Sequence, residues 1–307
     1  MLAKHKNFKT IVKKVTSQSS TQKKKIDTFL KKQNKEFFNL AEDFSIKFKK
    51  YLKSEKIPIQ YAINSYLKLC FDMFESQKYF MKYKKYPISN EKEAFKNVYD
   101  NTKEMKSYMF GLALSQFLWP THYAMFSFFI RKIKQFKAHT NSYLEIGSGH
   151  GLFFLKALEN FNKEAKFDIV DISPTSIKIT KSIINYTFKD KRNINYYVKN
   201  VFNYKPKLKY DFISLGEVLE HVNKPNKLLL KVKNILNNNG KIYLSTCVDC
   251  PSIDHIFHFK SITQIEKMIK KTGFKILARN ILPVEDKPMR EIIKNKITIN
   301  YCALLRK

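Results

Sequence analysis

Leu144-Glu145-Ile146-Gly147-Ser148-Gly149-His150-Gly151 decides how the rest of this chain is read, because an apolar run ends there in a tight turn that opens a helix at Leu152-Phe153-Phe154. The chain has 7 glycines in 307 residues, and three of them fall within this turn. In a sequence so poor in glycine, each one marks a position where a side chain is awkward. At such a turn glycines let the backbone approach a ligand closely, and the N-terminus of the following helix offers unpaired N–H groups to negative charge. Nucleotide, flavin and other cofactor sites share the feature, so it narrows the function only in company.

That company lies downstream. After His139, short apolar and aromatic runs alternate with helical stretches: Tyr143 to Ile146, Phe167 to Ile172, Ile194 to Val198, Phe212 to Leu215, Lys241 to Ser245, Lys275 to Ala278 and Thr298 to Leu304. Strand alternating with helix means an α/β fold, a mostly parallel sheet with helices on both faces. About 20 residues beyond the glycine turn the second strand ends at Asp171, where a carboxylate can accept both hydroxyls of a ribose. A dinucleotide site would also explain a glycine turn and an acid, but not the segment Glu217-Val218-Leu219-Glu220-His221-Val222 that follows the fourth strand.

Taken together, Leu144 to Gly151, Val170-Asp171-Ile172-Ser173-Pro174, Asn200-Val201, Asp211 to Val222 and Asn239-Gly240 resemble, in order and spacing, the class I S-adenosylmethionine-dependent methyltransferases. The resemblance covers roughly residues 139–307. It implies a Rossmann-like seven-stranded methyltransferase sheet whose last strand, Thr298 to Leu304, is antiparallel. It further implies that Glu145, Gly147, Ser148 and Gly149 border the methionine part of S-adenosylmethionine, that Asp171 holds the ribose, and that Ile172 flanks the adenine, with Asn200, Val201 and Gly216 completing the cofactor site. The product would be S-adenosylhomocysteine. Where the family often has Asp after the third strand, this chain has Asn200, whose carbonyl oxygen accepts without charge.

Methyl transfer from a sulfonium is an in-line displacement, so the protein has mainly to align donor and acceptor and take up a proton. Glu217, Glu220 and His221 are spaced i, i+3, i+4, which predicts one face of a helix at the ligand-binding end of the sheet. Some small-RNA and quinone-precursor O-methyltransferases share this Glu-x-x-Glu-His pattern and complete a divalent metal site with a later His; His255 stands where it could do so, giving the set Glu217, Glu220, His221 and His255. The alternative is that the motif packs beside the cofactor without metal. The loop after the fifth strand reads Thr246-Cys247-Val248-Asp249-Cys250-Pro251-Ser252-Ile253-Asp254-His255-Ile256-Phe257-His258, where Cys-x-x-Cys and two histidines invite a zinc reading with a short spacer. His255, His221 and Glu217 are the candidate catalytic groups, and Trp119, His122, Tyr123 and His258 the candidate acceptor wall, with core packing as the competing account of the aromatic residues. His150 is expected to face solvent or the cofactor carboxylate.

Upstream the texture is helical. Apolar residues from Ile26 to Leu52 step by three or four, Pro58 breaks the pattern, and Ile59 to Phe74 resume it. Ser89 or Asn90 can cap a third helix; Tyr108 to Leu118 form a fourth, ending at Trp119-Pro120, and a fifth runs from about Thr121 to Phe136. The expected organisation is a basic, flexible arm over residues 1–20, a helical lid, substrate or oligomerisation domain over 21–136, and the cofactor-binding domain over 137–307. There is no repeat of fixed period.

Composition bounds the function. With 44% hydrophobic residues the chain can bury a large core, which rules out disorder over most of its length. Lys plus Arg is 58 against 26 acids, a net +32, but only five of the 58 are Arg, and the excess of Lys, Asn, Ile and Phe reads as the bias of an AT-rich genome. Four scattered cysteines exclude a disulfide scaffold, no apolar run reaches a membrane span, and the start lacks the features of a secretory signal, so the cytoplasm is the expected compartment. Neither Asn-Pro-Pro-Tyr nor a Pro-Cys nucleophile follows the fourth strand, which argues against methylation of base amines or cytosine C5. The reading is therefore O- or N-methylation of a small-molecule metabolite such as a sugar or secondary-metabolite intermediate, with a homo-oligomer open. The alternatives are a metal-assisted RNA ribose 2′-O-methyltransferase, which would bring a nucleic-acid partner, and a non-catalytic cofactor-binding scaffold.

Overall fold

The computed structural model describes residues 2–188 and 192–307. Seven helices come first: α1 (Lys6–Thr16), α2 (Ser20–Lys31), α3 (Lys35–Ser54), α4 (Ile59–Tyr83), α5 (Glu91–Ala94), α6 (Thr102–Leu118) and α7 (Pro120–Gln135). The stretch that reads as one helix from Ile26 to Leu52 is two, because Asn34 turns extended and its side chain accepts from Phe37 N at 3.0 Å, capping α3. Asn90 caps α5 in the same way. α7 opens on Pro120, whose missing N–H costs nothing in a first turn.

The first twenty residues are not a loose arm. Over the described positions they form α1 and the start of α2, and α1 buries Phe8, Ile11, Val12 and Val15. These four are spaced as one helical face, and the lysines between them occupy the other; charge density hid an amphipathic helix. Glu42 of α3 fastens its start, accepting from Asn7 N at 3.0 Å and Phe8 N at 2.8 Å.

From Ser142 the chain alternates β1 (Ser142–Ile146), α8 (Leu152–Asn160), β2 (Lys166–Asp171), α9 (Pro174–Thr187), β3 (Asn193–Val198), β4 (Tyr210–Gly216), α10 (Pro225–Ile235), β5 (Leu236–Val248), α11 (Ile262–Lys271), β6 (Lys275–Pro283), α12 (Met289–Lys294) and β7 (Ile299–Arg306). The seven strands lie in the order β3-β2-β1-β4-β5-β7-β6, parallel from β3 to β5, with β7 antiparallel to both neighbours. The expected sheet is therefore present, antiparallel last strand included.

Alternation along the strands divides the core in two. Leu144, Ile213, Ile242 and Leu244 face one side, with Leu228 and Val232 of α10. Tyr143, Phe167, Phe212 and Tyr243 face the other, in one continuous cluster that includes Phe129 of α7, Phe117 of α6 and even Phe8 of α1. The helical half thus shares its core with a face of the sheet rather than standing apart. At Gly111 in α6 a Cβ would lie 2.8 Å from Ser65 O of α4, so glycine sets how closely those two helices approach. Among the described residues no helix is long and apolar enough to cross a membrane.

Candidate active site

The turn between β1 and α8 has its glycines in the left-handed region, Gly147 at φ 74° and Gly151 at φ 76°. Space forbids a side chain there too: a Cβ on Gly147 would meet Val218 Cγ2 at 2.7 Å, and one on Gly151 would meet Thr180 Oγ1 at 2.9 Å. Asp171, at the end of β2, ties this turn together. Its Oδ2 accepts from Ser148 Oγ at 3.2 Å and Gly149 N at 3.3 Å, and its Oδ1 accepts from Ser173 N at 2.8 Å. Burial pushes its carboxyl up, and the backbone N–H groups pull the other way. Glu145 on β1 is buried as well and accepts from Tyr143 Oη at 2.5 Å; burial raises its pKa to about 8. His150 does not face solvent: it is buried, its Nδ1 accepts from Leu152 N at 3.2 Å, and burial lowers its pKa to about 3, so it is neutral.

These residues border a cavity of about 270 Å³ that runs from the sheet ends into the helical half. Glu145, Gly147, Ser148, Gly149, Asp171, Ile172, Asn200, Val201 and Gly216, expected around a cofactor, all line it. Asn200 Oδ1 also accepts from Phe202 N at 2.9 Å, which fixes the side chain. Trp119 and His122 line it from the α6–α7 junction. Trp119 Nε1 donates to Tyr66 Oη at 2.9 Å, and His122 Nδ1 lies 2.7 Å from Ser115 Oγ, with burial lowering its pKa to about 4.

Two expected wall residues are elsewhere. Tyr123 packs edge-on against Phe37 within the helical core, with ring centroids 4.7 Å apart. One residue beyond His122 on a helix turns the side chain by about 100°, away from the cavity. His258 pairs with Asp249 at 2.6 Å and packs on Phe80 and Tyr86 outside the cavity lining.

The Glu217 segment is not the expected helix. Glu217 is left-handed at φ 52°, one tight turn spans Leu219–His221, and α10 begins only at Pro225. The strained turn still aims the three side chains at the sheet end. Glu217 lines the cavity with its Oε1 buried and without a hydrogen-bond partner among the described residues; burial and the neighbouring Glu220 hold its carboxyl well above the usual range. Glu220 is fully buried and accepts from Thr246 Oγ1 at 2.7 Å, while its carbonyl receives the N–H groups of Ile256 and Phe257. The four-residue metal set comes together only in part: Glu220, His221 and His255 offer atoms within 4.8 Å of one another, whereas Glu217 groups with Glu220 and Cys247.

The cavity wall also holds a hydrogen-bonded group of which the sequence singles out His221 alone. Asp254 is buried and accepts from Tyr99 Oη and Tyr108 Oη, both at 3.2 Å. His221 Nδ1 donates to Asp254 O at 3.1 Å and lies 2.9 Å from Tyr99 Oη. This assigns the ring proton to Nδ1 and leaves Nε2 able to accept. Burial, then Asp254, keep both tyrosines protonated. His255 Nδ1 lies 2.7 Å from Cys250 O; burial lowers its pKa, but Cys250 and the nearby acids more than offset that and raise it to about 10. Asp254 sits beside a residue the sequence picks out, whereas Tyr99 and Tyr108 lie in the helical half with no local motif to mark them. Met73, Met105, Met109 and Leu112 add apolar wall to the cavity, Met109 Sδ lying 3.6 Å from where a Cβ on Gly149 would stand.

Residues 121–279 match a family model described as a methyltransferase domain. Malonyl-(acyl-carrier protein) O-methyltransferase 1 of Ilyobacter polytropus is 34% identical over 103 residues, covering 34% of this chain and 37% of that protein. The second O-methyltransferase of that name and organism is 29% identical over 149 residues, covering 44% and 55%. These matches span between about a third and about half of the curated relatives' length. Among solved structures, the Bradyrhizobium japonicum N-methyltransferase NodS in complex with S-adenosylhomocysteine is similar with a TM-score of 0.52 at 14% identity, over 68% of this chain and 99% of that one. A Haemonchus contortus N-methyltransferase in complex with phosphomonomethylethanolamine and S-adenosylhomocysteine is similar with a TM-score of 0.53 at 14% identity, over 72% of this chain and 61% of that one.

Proposed function

Because the chain belongs to the methyltransferase domain family, we propose that it moves a methyl group from S-adenosylmethionine to a hydroxyl oxygen or amine nitrogen of a small, largely apolar molecule. The observation that carries the reading is one cavity lined both by the glycine turn and Asp171 and by Tyr99, Tyr108, His221 and Asp254. The cofactor end fits its group: Gly147 leaves no room for a Cβ beside Val218, and the buried Asp171 retains lone pairs for ribose hydroxyls. When bound, S-adenosylmethionine supplies an electrophilic methyl on a positively charged sulfur.

The chain's own residues then align the acceptor and take its proton. Tyr99 and Asp254 hold the His221 ring so that Nε2 receives the proton as the acceptor lone pair forms the new bond to carbon. His255, already protonated through neutral pH, is not free to take that proton and instead adds positive charge beside Cys250. Glu217 and Gln116 line the cavity, and their buried Oε1 atoms have no hydrogen-bond partner among the described residues, which suits an acceptor that carries O–H or N–H donors. Among the described lining residues the one Lys or Arg is Lys199, beside Asn200.

Transfer of labelled methyl from S-adenosylmethionine to a panel of apolar phenols, alcohols, amines and carboxylic acids tests the reading. Label should appear in hydroxyl or amine acceptors, and His221→Ala should lower turnover by about a hundredfold or more while sparing S-adenosylhomocysteine binding. Transfer to carboxylic acids alone, or full turnover in His221→Ala, would contradict it.

A further inference from the structure

In the wall of the cavity lies a cluster whose two cysteines methyl transfer does not use. Cys247, Cys250 and His255 are all buried, and each offers a ligand atom within 4.8 Å of the other two. We propose that these three residues form a zinc site whose fourth coordination position opens into the acceptor end of the cavity.

The geometry is near what the ion needs. Zinc bonds of about 2.3 Å to sulfur and 2.0–2.1 Å to nitrogen, at tetrahedral angles, set ligand sulfur and nitrogen about 3.6 Å apart. Cys247 Sγ lies 3.8 Å from His255 Nδ1, and the two cysteine sulfurs lie within 4.8 Å of each other. Local structure holds this arrangement before any ion arrives. Cys247 is in β5, and Asp249, left-handed at φ 47°, reverses the backbone so that Cys250 comes back to the same side. Tyr86 Oη accepts from Cys250 N at 2.9 Å, and Thr298 Oγ1 donates to Asp249 O at 2.8 Å. Two thiolates and a neutral imidazole would balance a divalent cation, and the two sulfurs favour zinc over magnesium or calcium.

The partners around the ring also suit a metal ligand. Nδ1 of His255 has Cys250 O at 2.7 Å, and Nε2 faces Asp254 Oδ1 at 4.0 Å. Nδ1 is the nitrogen beside Cys247 Sγ, and a short ring shift brings Nε2 to Asp254 Oδ1 as the orienting oxygen. Glu220 backs the site, with Oε1 3.8 Å from Cys247 Sγ. Cys250 and His255 line the cavity and Cys247 does not, so three protein ligands sit on one side and the fourth position faces the acceptor. Three ligands with an open place is the pattern of zinc sites that bind a substrate oxygen or sulfur, whereas structural sites are closed by a fourth ligand.

The test reads metal directly, without donor or acceptor, so its outcome is separate from that of the methyl-transfer reading. The reduced, chelator-stripped full chain is titrated with Co²⁺ and then with Zn²⁺. One equivalent of Co²⁺ should give the intense visible bands of a four-coordinate ion and a thiolate charge-transfer band, both erased by Zn²⁺. Cys247→Ser and Cys250→Ser should each weaken binding more than about a hundredfold and lose charge-transfer intensity, while Cys70→Ser leaves both unchanged. Should either variant fail to fold, the native chain still decides: Zn²⁺ should block alkylation of Cys250, and a chelator should restore it. Absence of cobalt binding by the folded, reduced protein, a spectrum without thiolate bands, or Cys250 alkylation indifferent to Zn²⁺ would overturn the proposal.

Discussion

Glu145 shows how one buried side chain turns into a property of the whole protein. Its carboxyl loses a proton near 4.5 in an exposed setting, but burial raises this to about 8 in the fold, against the hydrogen bond from Tyr143. Between those values the folded state holds more protons than the unfolded one, so the stability present below 4.5 is lost as pH rises toward 8. Glu145→Gln should flatten that decline in urea midpoints measured across the range, and an unchanged slope would contradict the assignment. His122 and His150, lowered to about 4 and about 3, act in the opposite direction, costing stability as pH falls below 6.5. At this scale the glycine-turn part of the cavity lining was legible in sequence, because Asp171 ends β2 while Gly147 and Asn200 closely follow β1 and β3. The group around Asp254 was not. Tyr99 meets Asp254 across 155 residues, and no periodicity or motif encodes such a pairing.

Among the elements, those built on strong local signals stand where the sequence put them: the strands of the sheet, the break at Pro58 and the opening at Pro120. Two others differ for physical reasons. Glu217, Glu220 and His221 have helical spacing, but α10 starts later at Pro225, and the segment turns through a left-handed residue instead. The reading of a loose arm weighed the lysines of residues 1–20 and missed the face that Phe8, Ile11, Val12 and Val15 share. That correction carries its own prediction. Phe8 is 1% exposed, so Phe8→Ala should cost about 3–5 kcal/mol of folding stability in denaturant titration. A loss below about 0.5 kcal/mol, the usual scale of a surface change, would return α1 to the status of an arm.

Across the whole molecule, the boundary near residue 136 is a change of texture that the core does not respect. A single cluster runs from Phe8 through Phe117 and Phe129 to Tyr243 and Leu304, so the helical half covers one face of the sheet and walls the cavity at the same time. Far- and near-ultraviolet circular dichroism should therefore report one coincident thermal transition, and two separated transitions would show independent units. The same architecture makes the acceptor end a joint product of both halves, which is why composition and net charge said little about it. Its other end, where the glycine turn meets Asp171, carries the central claim. Calorimetric titration with S-adenosylhomocysteine tests that claim most directly. The account predicts one site of micromolar affinity, weakened at least about a hundredfold in Asp171→Ala, since two hydrogen bonds to a charged group contribute about 1.5–3 kcal/mol each. Absence of binding by the folded protein, or equal affinity in Asp171→Ala, would contradict it.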